Sequence, residues 1–446
     1  MKVFIGTKND TSKLATASDL RVTVGPNVAH ESIDSSANPI LFRAVGMPPQ
    51  AAIEFLLLSS AVYTVDKKTL RSSFPDHWTR EFEVFFPSSK PALWHPIIRD
   101  LEATLSFLTG DIWKIEVRSE AVEFAGKHTR KMNGVDAISL FSGGLDSAIG
   151  ALNLVEAGKR PLLLGHYDSP HTASDQYSVW RRLRELYAAE KVPPLVQVRV
   201  RPMPDSPYLG ADAERTTRSR SVLFLGLGMA AASALSGDTP LIIPENGFIS
   251  VNSPMDSSRL GSCSTRTTHP FFLASLRRIF QALGITNPIK NPFQFSTKGE
   301  IVKNCRAQTE LRKIARITMS CAHPEAGRWR RQTYGACGYC YPCIIRRAAL
   351  HHAGMDDAGS YLIDIKKGLA PGTSDTVAAD VKAVSSVVTE QFSDRQKNTL
   401  KHILRSGPIS DHGQIPALVE MYRRGLREIR TFFENDGATF KKSVGS

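Results

Sequence analysis

The hexapeptide Ser142-Gly143-Gly144-Leu145-Asp146-Ser147 constrains this chain more than any other stretch. It follows the apolar run Ala137 to Phe141 and opens a helix-like segment that ends at Gly158. Strand, glycine turn and helix in that order form the first half of a βαβ unit. Two glycines let the backbone turn tightly and point its N–H groups inward, where a side chain would block a phosphate. The helix start adds partial positive charge, and the Ser142 and Ser147 hydroxyls can donate. Asp146 would repel a bare phosphate, so its expected task is to hold Mg²⁺ on a departing pyrophosphate. The loop lacks the lysine of a Walker A sequence and differs from G-x-G-x-x-G. A glycine turn that merely caps a helix is the competing explanation; the order of elements weighs against it.

The surrounding rhythm extends the unit. Pro161 to Gly165, Leu195 to Val200 and Leu241 to Ile243 are short apolar runs. Helical stretches through Trp180 and Leu186, and from Ser221 to Leu235, separate them. This alternation predicts an α/β domain over residues 134–354, with a parallel sheet covered by helices on both faces. Ligands of such sheets bind beyond the carboxyl ends of the strands. Earlier, Phe82, Val84 and Phe86 alternate with other residues, as do Trp113, Ile115 and Val117. Ile97, Leu101, Leu105 and Leu108 recur at helical spacing between them, and Gly110 can close that helix. Residues 1–133 are therefore expected to form an α+β domain, with no legible chemistry. Residues 355–446 read as helical: Gly368, Pro371, Gly372 and Ser374 as a linker, and Ser393 with Gln396 as a capping box before Leu400, Ile403 and Leu404. Gly407-Pro408 stops that helix, and Leu418, Tyr422, Ile429 and Phe433 mark another.

Composition removes several classes. A chain of 446 residues that is 42% hydrophobic and 22% charged is neither collagen-like, disordered nor membrane-embedded. Its longest apolar stretch, Val222 to Leu235, is short of the roughly 20 residues that span a bilayer. The apolar run in Met1 to Asn9 is too short for a signal peptide, so a cytoplasmic protein without membrane partners is expected. The net charge of +13 favours an anionic partner: nucleotide, nucleic acid or phosphate.

Cys337-x₂-Cys340-x₂-Cys343 stands sixteen residues after Cys321. Three thiolates on a knuckle and a fourth from an adjoining loop can close a tetrahedral Cys₄ site, expected to be structural Zn²⁺. Spacing alone leaves an iron–sulfur cluster and unliganded core cysteines open. Cys263 and Cys305 read as small buried hydrophobes rather than nucleophiles.

Ser142 to Ser147 resembles the PP-loop of the ATP pyrophosphatase superfamily, whose members cleave ATP between the α and β phosphates and transfer AMP to an oxygen. Joined to the downstream cysteines and a basic-flanked helix, it is similar to the QueC family of 7-cyano-7-deazaguanine synthases. Arg220-Ser221-Val222-Leu223-Phe224-Leu225 is similar to that family's Arg-Asn-x-x-Phe-Leu, and Ser296-Thr297-Lys298-Gly299-Glu300-Ile301 to its Thr-Lys-x-Glu-Ile. Ser320-Cys321 with Ala336 to Cys343 is similar to its zinc segment. The resemblance covers about residues 134 to 352. It implies ATP, Mg²⁺ and Zn²⁺ as cofactors and adenylation of the carboxylate of 7-carboxy-7-deazaguanine. Ammonia then gives an amide, and activation of the amide gives the nitrile. It further implies that Ser142, Gly143, Gly144, Leu145, Asp146 and Ser147 bind the nucleotide. Asp146, Arg220 and Lys298 would be catalytic, and Cys321, Cys337, Cys340 and Cys343 would hold zinc.

Departures from the family narrow the likeness. Ser221 replaces an Asn, and His166-Tyr167-Asp168-Ser169-Pro170-His171 only partly follows Tyr-Gly-Gln-x-His. The family's acidic, Tyr-containing substrate loop gives way to Pro244-Glu245-Asn246-Gly247-Phe248, Asn252-Ser253-Pro254 and Ser264 to Pro270. These changes, with the two flanking regions, resemble the QueC-like proteins of bacterial anti-phage operons, the QatC group of the Qat system. That resemblance implies operon-encoded protein partners (QatB-like) and a deazaguanine-type small-molecule substrate. Glu245, Asn246, Arg266 and His269 are expected to contact that substrate, against helix capping for Asn246 and loop hydrogen bonding for His269. Arg330-Arg331 beside Trp329, and Arg423, Arg424, Arg427 and Arg430, face either an anionic partner or solvent. Two alternatives stand beside this one: a PP-loop enzyme modifying tRNA, with nucleic acid as a less favoured partner, and a nucleotide-sensing subunit of a defence complex without turnover.

Overall fold

The computed structural model describes residues 1–122, 128, 132–211, 213–214, 218–254, 266–327, 334–367, 375–393 and 396–434. The chain begins with β1 (Lys2–Lys8), β2 (Leu20–Asn27), β3 (Ile33–Ser35), β4 (Glu81–Ser88) and β5 (Ile112–Ser119). Four of these form a sheet in the order β2-β1-β4-β5, every neighbouring pair parallel. This corrects the α+β expectation for the N-terminal region. The helix Ile98–Thr109 between β4 and β5 is a crossover, and a crossover brings its two strands side by side in parallel. Gly110 closes it in the left-handed conformation at φ 76°, and Leu101, Leu105 and Leu108 are buried, as their spacing predicts.

The second sheet adds β6 (Ala137–Leu140), β7 (Pro161–Tyr167), β8 (Leu195–Pro202), β9 (Leu241–Ile242) and β10 (Ile289–Lys290). Its order is β10-β9-β6-β7-β8-β3, parallel except at the edge, where β3 pairs antiparallel with β8. The architecture is therefore α/β, with one parallel and one mixed sheet. Both faces of the second sheet are covered. Leu162 and Leu164 of β7 pack with residues of the helix Arg220–Leu235, and Leu163 packs with residues of the helix Leu145–Glu156. The first of these cores is continuous with the N-terminal region, because the helix Gln50–Lys68 lies against Arg220–Leu235.

Strand order reverses between β6 and β9: β7 and β8 build outward on one side of β6, and β9 and β10 on the other. Such a reversal opens a crevice beyond the carboxyl ends of the two central strands. The hexapeptide leaves β6 there, and Pro244-Glu245 leaves β9 beside it.

The C-terminal region contains the helices Asp375–Ser393, Gln396–Leu404 and Ile415–Glu434. Its core joins Leu418, Tyr422, Ile429 and Phe433 to Cys337, Cys340 and Cys343. The linker at Gly368, Pro371, Gly372 and Ser374 and the side chains of the expected capping box at Ser393 and Gln396 lie outside what is described. Among the described residues, no helix is long and apolar enough to cross a membrane.

Candidate functional site

Gly143 turns the loop at φ 79°, and a Cβ there would lie 2.9 Å from the Gln176 backbone nitrogen. Only glycine fits that turn. Gly144 then opens the helix Leu145–Glu156 and, having no side chain, makes no N-cap bond of its own. The Leu145 amide meets the Ser320 hydroxyl at 3.4 Å, and the Met319 amide donates to the Gly143 carbonyl at 3.1 Å. Segment 319–320 thereby forms the far wall of a cavity of about 220 Å³ at the helix start. Ser142, Gly144, Leu145, Asp146, Ser147, Glu245 and Lys298 line it. Ser147 donates to the Gly144 carbonyl at 2.9 Å, which fixes its side chain at the mouth of the helix.

Asp146 is the hub of this cavity. One carboxylate oxygen receives the Lys298 ammonium, and the other receives the Asn246 amide at 3.1 Å and its carboxamide Nδ2 at 2.6 Å. Lys298 is buried and begins the helix Lys298–Lys303, whose start is a full capping box between Thr297 and Glu300. The ammonium is therefore carried on a rigid element. Glu245 stands beside the hub, accepting from the Thr268 hydroxyl. Burial pushes its carboxyl up to about 7, and the Asp146 charge adds to the rise.

A second cavity, of about 340 Å³, adjoins the first and shares Ser142, Ser147, Pro244, Glu245 and Met319 with it. Arg220, Asp175, Tyr334 and Cys321, with the hydroxyls of Thr172, Ser221 and Thr267, contribute the remaining polar wall. Arg220 is held by His166: its Nε donates to Nδ1 at 3.2 Å and its Nη2 to the carbonyl at 3.1 Å. His166 Nε2 meets the Val200 carbonyl at 2.9 Å. A carbonyl only accepts, so Nε2 carries the proton and Nδ1 is left to receive Arg220. Burial, with the Arg220 charge, drives His166 down to about 3 and keeps the ring neutral. Asp168 lies alongside, receiving the Tyr63 hydroxyl at 2.8 Å and Lys67 at 3.3 Å. Burial alone would raise its pKa, but Arg220, Lys67 and Tyr63 hold it at about 2.

Cys321, Cys337, Cys340 and Cys343 bring their sulfurs within 4.8 Å of one another, a group that can hold a metal ion such as zinc. Cys321 to Cys340 and Cys337 to Cys343 are each 3.9 Å apart. A tetrahedral zinc with Zn–S bonds of about 2.3 Å requires sulfur separations of about 3.8 Å. Backbone amides of Ala322, His323, Cys337 and Cys340 point at these sulfurs at 3.3 to 3.5 Å, as thiolates require. Only Cys321 is not fully buried, and it borders the second cavity.

Not every predicted contact falls in the cavities. Asn246 faces Asp146, and its Oδ1 accepts the Ile249 amide, so its carboxamide is spent on internal bonds. Arg266 donates to the Phe107 carbonyl and stacks over its ring at 4.4 Å. His269 caps the helix Pro270–Ala282 through the Phe271 amide and meets Ser406 at 3.1 Å. Arg266 and His269 line neither cavity; apolar neighbours and a following proline make them packing and capping groups. Arg346 binds Thr318 and Tyr361, and Arg347 pairs with Asp356 and Asp364 in the interior. Arg424 pairs with Glu300 at 2.6 Å, while Arg427 and Arg430 pair with Glu420 and Glu434 on their own helix. Cys305 is buried, its thiol pushed up to about 11 by burial. Cys263, Ser264, Thr265, Trp329, Arg330 and Arg331 lie outside the described residues.

Residues that sequence reasoning missed support the two cations. Asp66 receives the Arg218 and Ser219 amides, each at 2.9 Å, and the Ser219 hydroxyl at 2.6 Å, just ahead of Arg220. Glu428 receives the Gly299 amide at 3.0 Å and the Thr297 hydroxyl around Lys298. A carboxylate within an apolar helical stripe is the available signal for Glu428.

Fold and site together define an α/β protein with two adjoining polar cavities at a strand-order reversal and a four-thiol metal cluster beside them. Comparison with family models, with curated proteins and with solved structures finds no match.

Proposed function

We propose that the chain is an ATP-dependent, adenylate-forming enzyme of the QueC-like kind, acting on a deazaguanine-type carboxylate in bacterial anti-phage defence. The observation that carries this is the Asp146–Lys298–Asn246 hub at a glycine-opened helix start on the strand-order reversal. The first-turn amides would receive the pyrophosphate portion of ATP, with the Ser142 and Ser147 hydroxyls beside them. Lys298 and Arg220 would offset the charge that builds on the α phosphate and the carboxylate. The carboxylate oxygen attacks the α phosphorus, the bond to the bridging oxygen breaks, and pyrophosphate leaves with that electron pair. The acyl adenylate remains, ready for ammonia or another amine.

Asp146 and Glu245 are the groups that would hold Mg²⁺. Two carboxylates lining one cavity, with the Asp146 charge helping to raise Glu245 to about 7, form a donor set that a divalent cation would relieve. The ion supplies charge neutralisation on the phosphates. Cys321, Cys337, Cys340 and Cys343 would hold zinc and so fix Met319 and Ser320 against the loop.

The test incubates purified protein with ATP, Mg²⁺ and 7-carboxy-7-deazaguanine and identifies the products by mass spectrometry. AMP and pyrophosphate are expected from the wild type, with loss of both in Asp146→Asn. Release of ADP would sink the proposal.

A further inference from the structure

The C-terminal helix Ile415–Glu434 lies far from the site in sequence but touches the segments that carry both partners of Asp146. Two of its residues one turn apart grip the start of the Lys298 helix. Glu428 is buried and accepts from the Gly299 amide at 3.0 Å and from the Thr297 hydroxyl. Arg424 donates to Glu300 at 2.6 Å and to the Phe295 carbonyl at 2.9 Å. Thr297 and Glu300 are the two halves of the capping box around Lys298, so both grips close on the same turn. Gly299 makes the approach feasible: a Cβ there would lie 2.5 Å from the Glu428 carboxyl carbon. The same helix presses on the segment that follows the other partner of Asp146, Asn246. Phe248, two residues after Asn246, stacks on Tyr422 at 4.5 Å, and a Cβ at Gly425 would lie 2.3 Å from Phe248.

A glutamate buried at a short helix start is costly unless its acceptors are used. Here both oxygens are satisfied by the turn that carries Lys298. The capping box satisfies the Thr297 and Glu300 amides, and the two Glu428 bonds complete the turn from outside by taking the Gly299 amide and the Thr297 hydroxyl. What they add is a fixed position for Lys298 relative to Asp146, across two regions of the chain. We infer that Glu428, assisted by Arg424, is a positioning residue that holds Lys298 on Asp146, making the C-terminal helix part of the site.

The effect on rate rests on the adenylation proposed above; the placement of Lys298 does not. The experiment therefore has two readouts on the full chain. In the first, a water-soluble amine-reactive ester labels wild type, Glu428→Gln and Arg424→Gln, and mass spectrometry follows each lysine. Lys298 labelling is expected to rise about 10-fold in Glu428→Gln and less in Arg424→Gln, with the other lysines unchanged, because reactivity follows exposure of the freed amine. Unchanged Lys298 labelling in a folded variant overturns the inference. If Glu428→Gln does not fold, Arg424→Gln carries the same comparison. In the second, ATP–pyrophosphate exchange is expected to lose about 10- to 100-fold in kcat with KM for ATP little changed, as misplacement of a catalytic group does. Gly299→Ala should give the same loss, and combined with Glu428→Gln should add little to it. Additive losses would contradict a shared path. A wild type with no exchange defeats the adenylation proposal while leaving the labelling result to decide the positioning.

Discussion

Arg220 and Lys298 are each the first residue of a helix, and each helix start is held by a buried carboxylate from a flanking region. The two holds differ in charge. Asp66, from the N-terminal region, also meets Arg80 at 2.5 Å, and Arg80 meets Asp111 at 2.6 Å, all fully buried. Glu428, from the C-terminal region, meets a hydroxyl and an amide and no ion-pair partner among the described residues, and burial pushes its carboxyl up to about 7. The N-terminal hold is therefore charge-compensated, whereas the C-terminal hold titrates near neutrality. Each end of the chain fixes one cation of the site, by the same geometry and with different electrostatics.

Metal removal breaks the comparison most strongly. The cysteine cluster shares a core with Ile415–Glu434 and none with the Asp66 network. Chelation or Cys343→Ser should destabilise the C-terminal side by as much as about 10 kcal/mol, the scale of a structural zinc. Hydrogen exchange should then show open amides around Gly299 while those of Ser219 stay protected. Equal loss at both ends would mean the two holds are not separate.

Asp66→Asn attacks the other end. It strips a charge from a buried pair and leaves Arg80 with Asp111 alone, at a cost of about 3 to 5 kcal/mol. Denaturant unfolding measures it; a loss below 1 kcal/mol, within the range of about 0 to 1 kcal/mol for an exposed pair, would contradict the charge-compensated description.

Acidity separates the two carboxylates. A raised pKa in the folded state means that Glu428 contributes stability fully below the usual glutamate value of 4.5 and loses it as pH rises through about 7. Its neighbours Glu300 and Arg424 remain in both proteins compared. Wild type minus Glu428→Gln should therefore fall by about 3 kcal/mol between pH 4.5 and pH 8. A difference independent of pH would show that Glu428 is charged throughout. Gly299→Ala is expected to cost least, about 1 to 3 kcal/mol, because one methyl displaces the Glu428 carboxylate. No change in thermal midpoint would mean the contact is loose.

Much of this was legible in the residues because it is local. Apolar runs at 161–165 and 195–200 and the helix to Leu235 fall where period and length place them, as do the turn at Gly143 and the cysteine group. The parallel pairing of β4 and β5 was implicit in strand–helix–strand order, yet the class was read as α+β; alternation reveals a strand's buried face and not its neighbour's direction. Arg266 and His269 sit outside both cavities, although a loop cation or imidazole next to a lost family motif reads as a ligand contact. Phe107 and Ser406, which engage them, lie more than 130 residues away. Asp66 and Glu428 escaped for the same reason. Their partners are amides 129 to 153 residues distant, and no spacing rule reaches across that.

The most direct measurement is exchange of radiolabelled pyrophosphate into ATP by the wild-type protein with Mg²⁺, with and without 7-carboxy-7-deazaguanine. Adenylation at the 142–147 loop predicts label in ATP only when the carboxylate is present, and none in Asp146→Asn. Label that never enters ATP, or that enters equally without the carboxylate, contradicts the account.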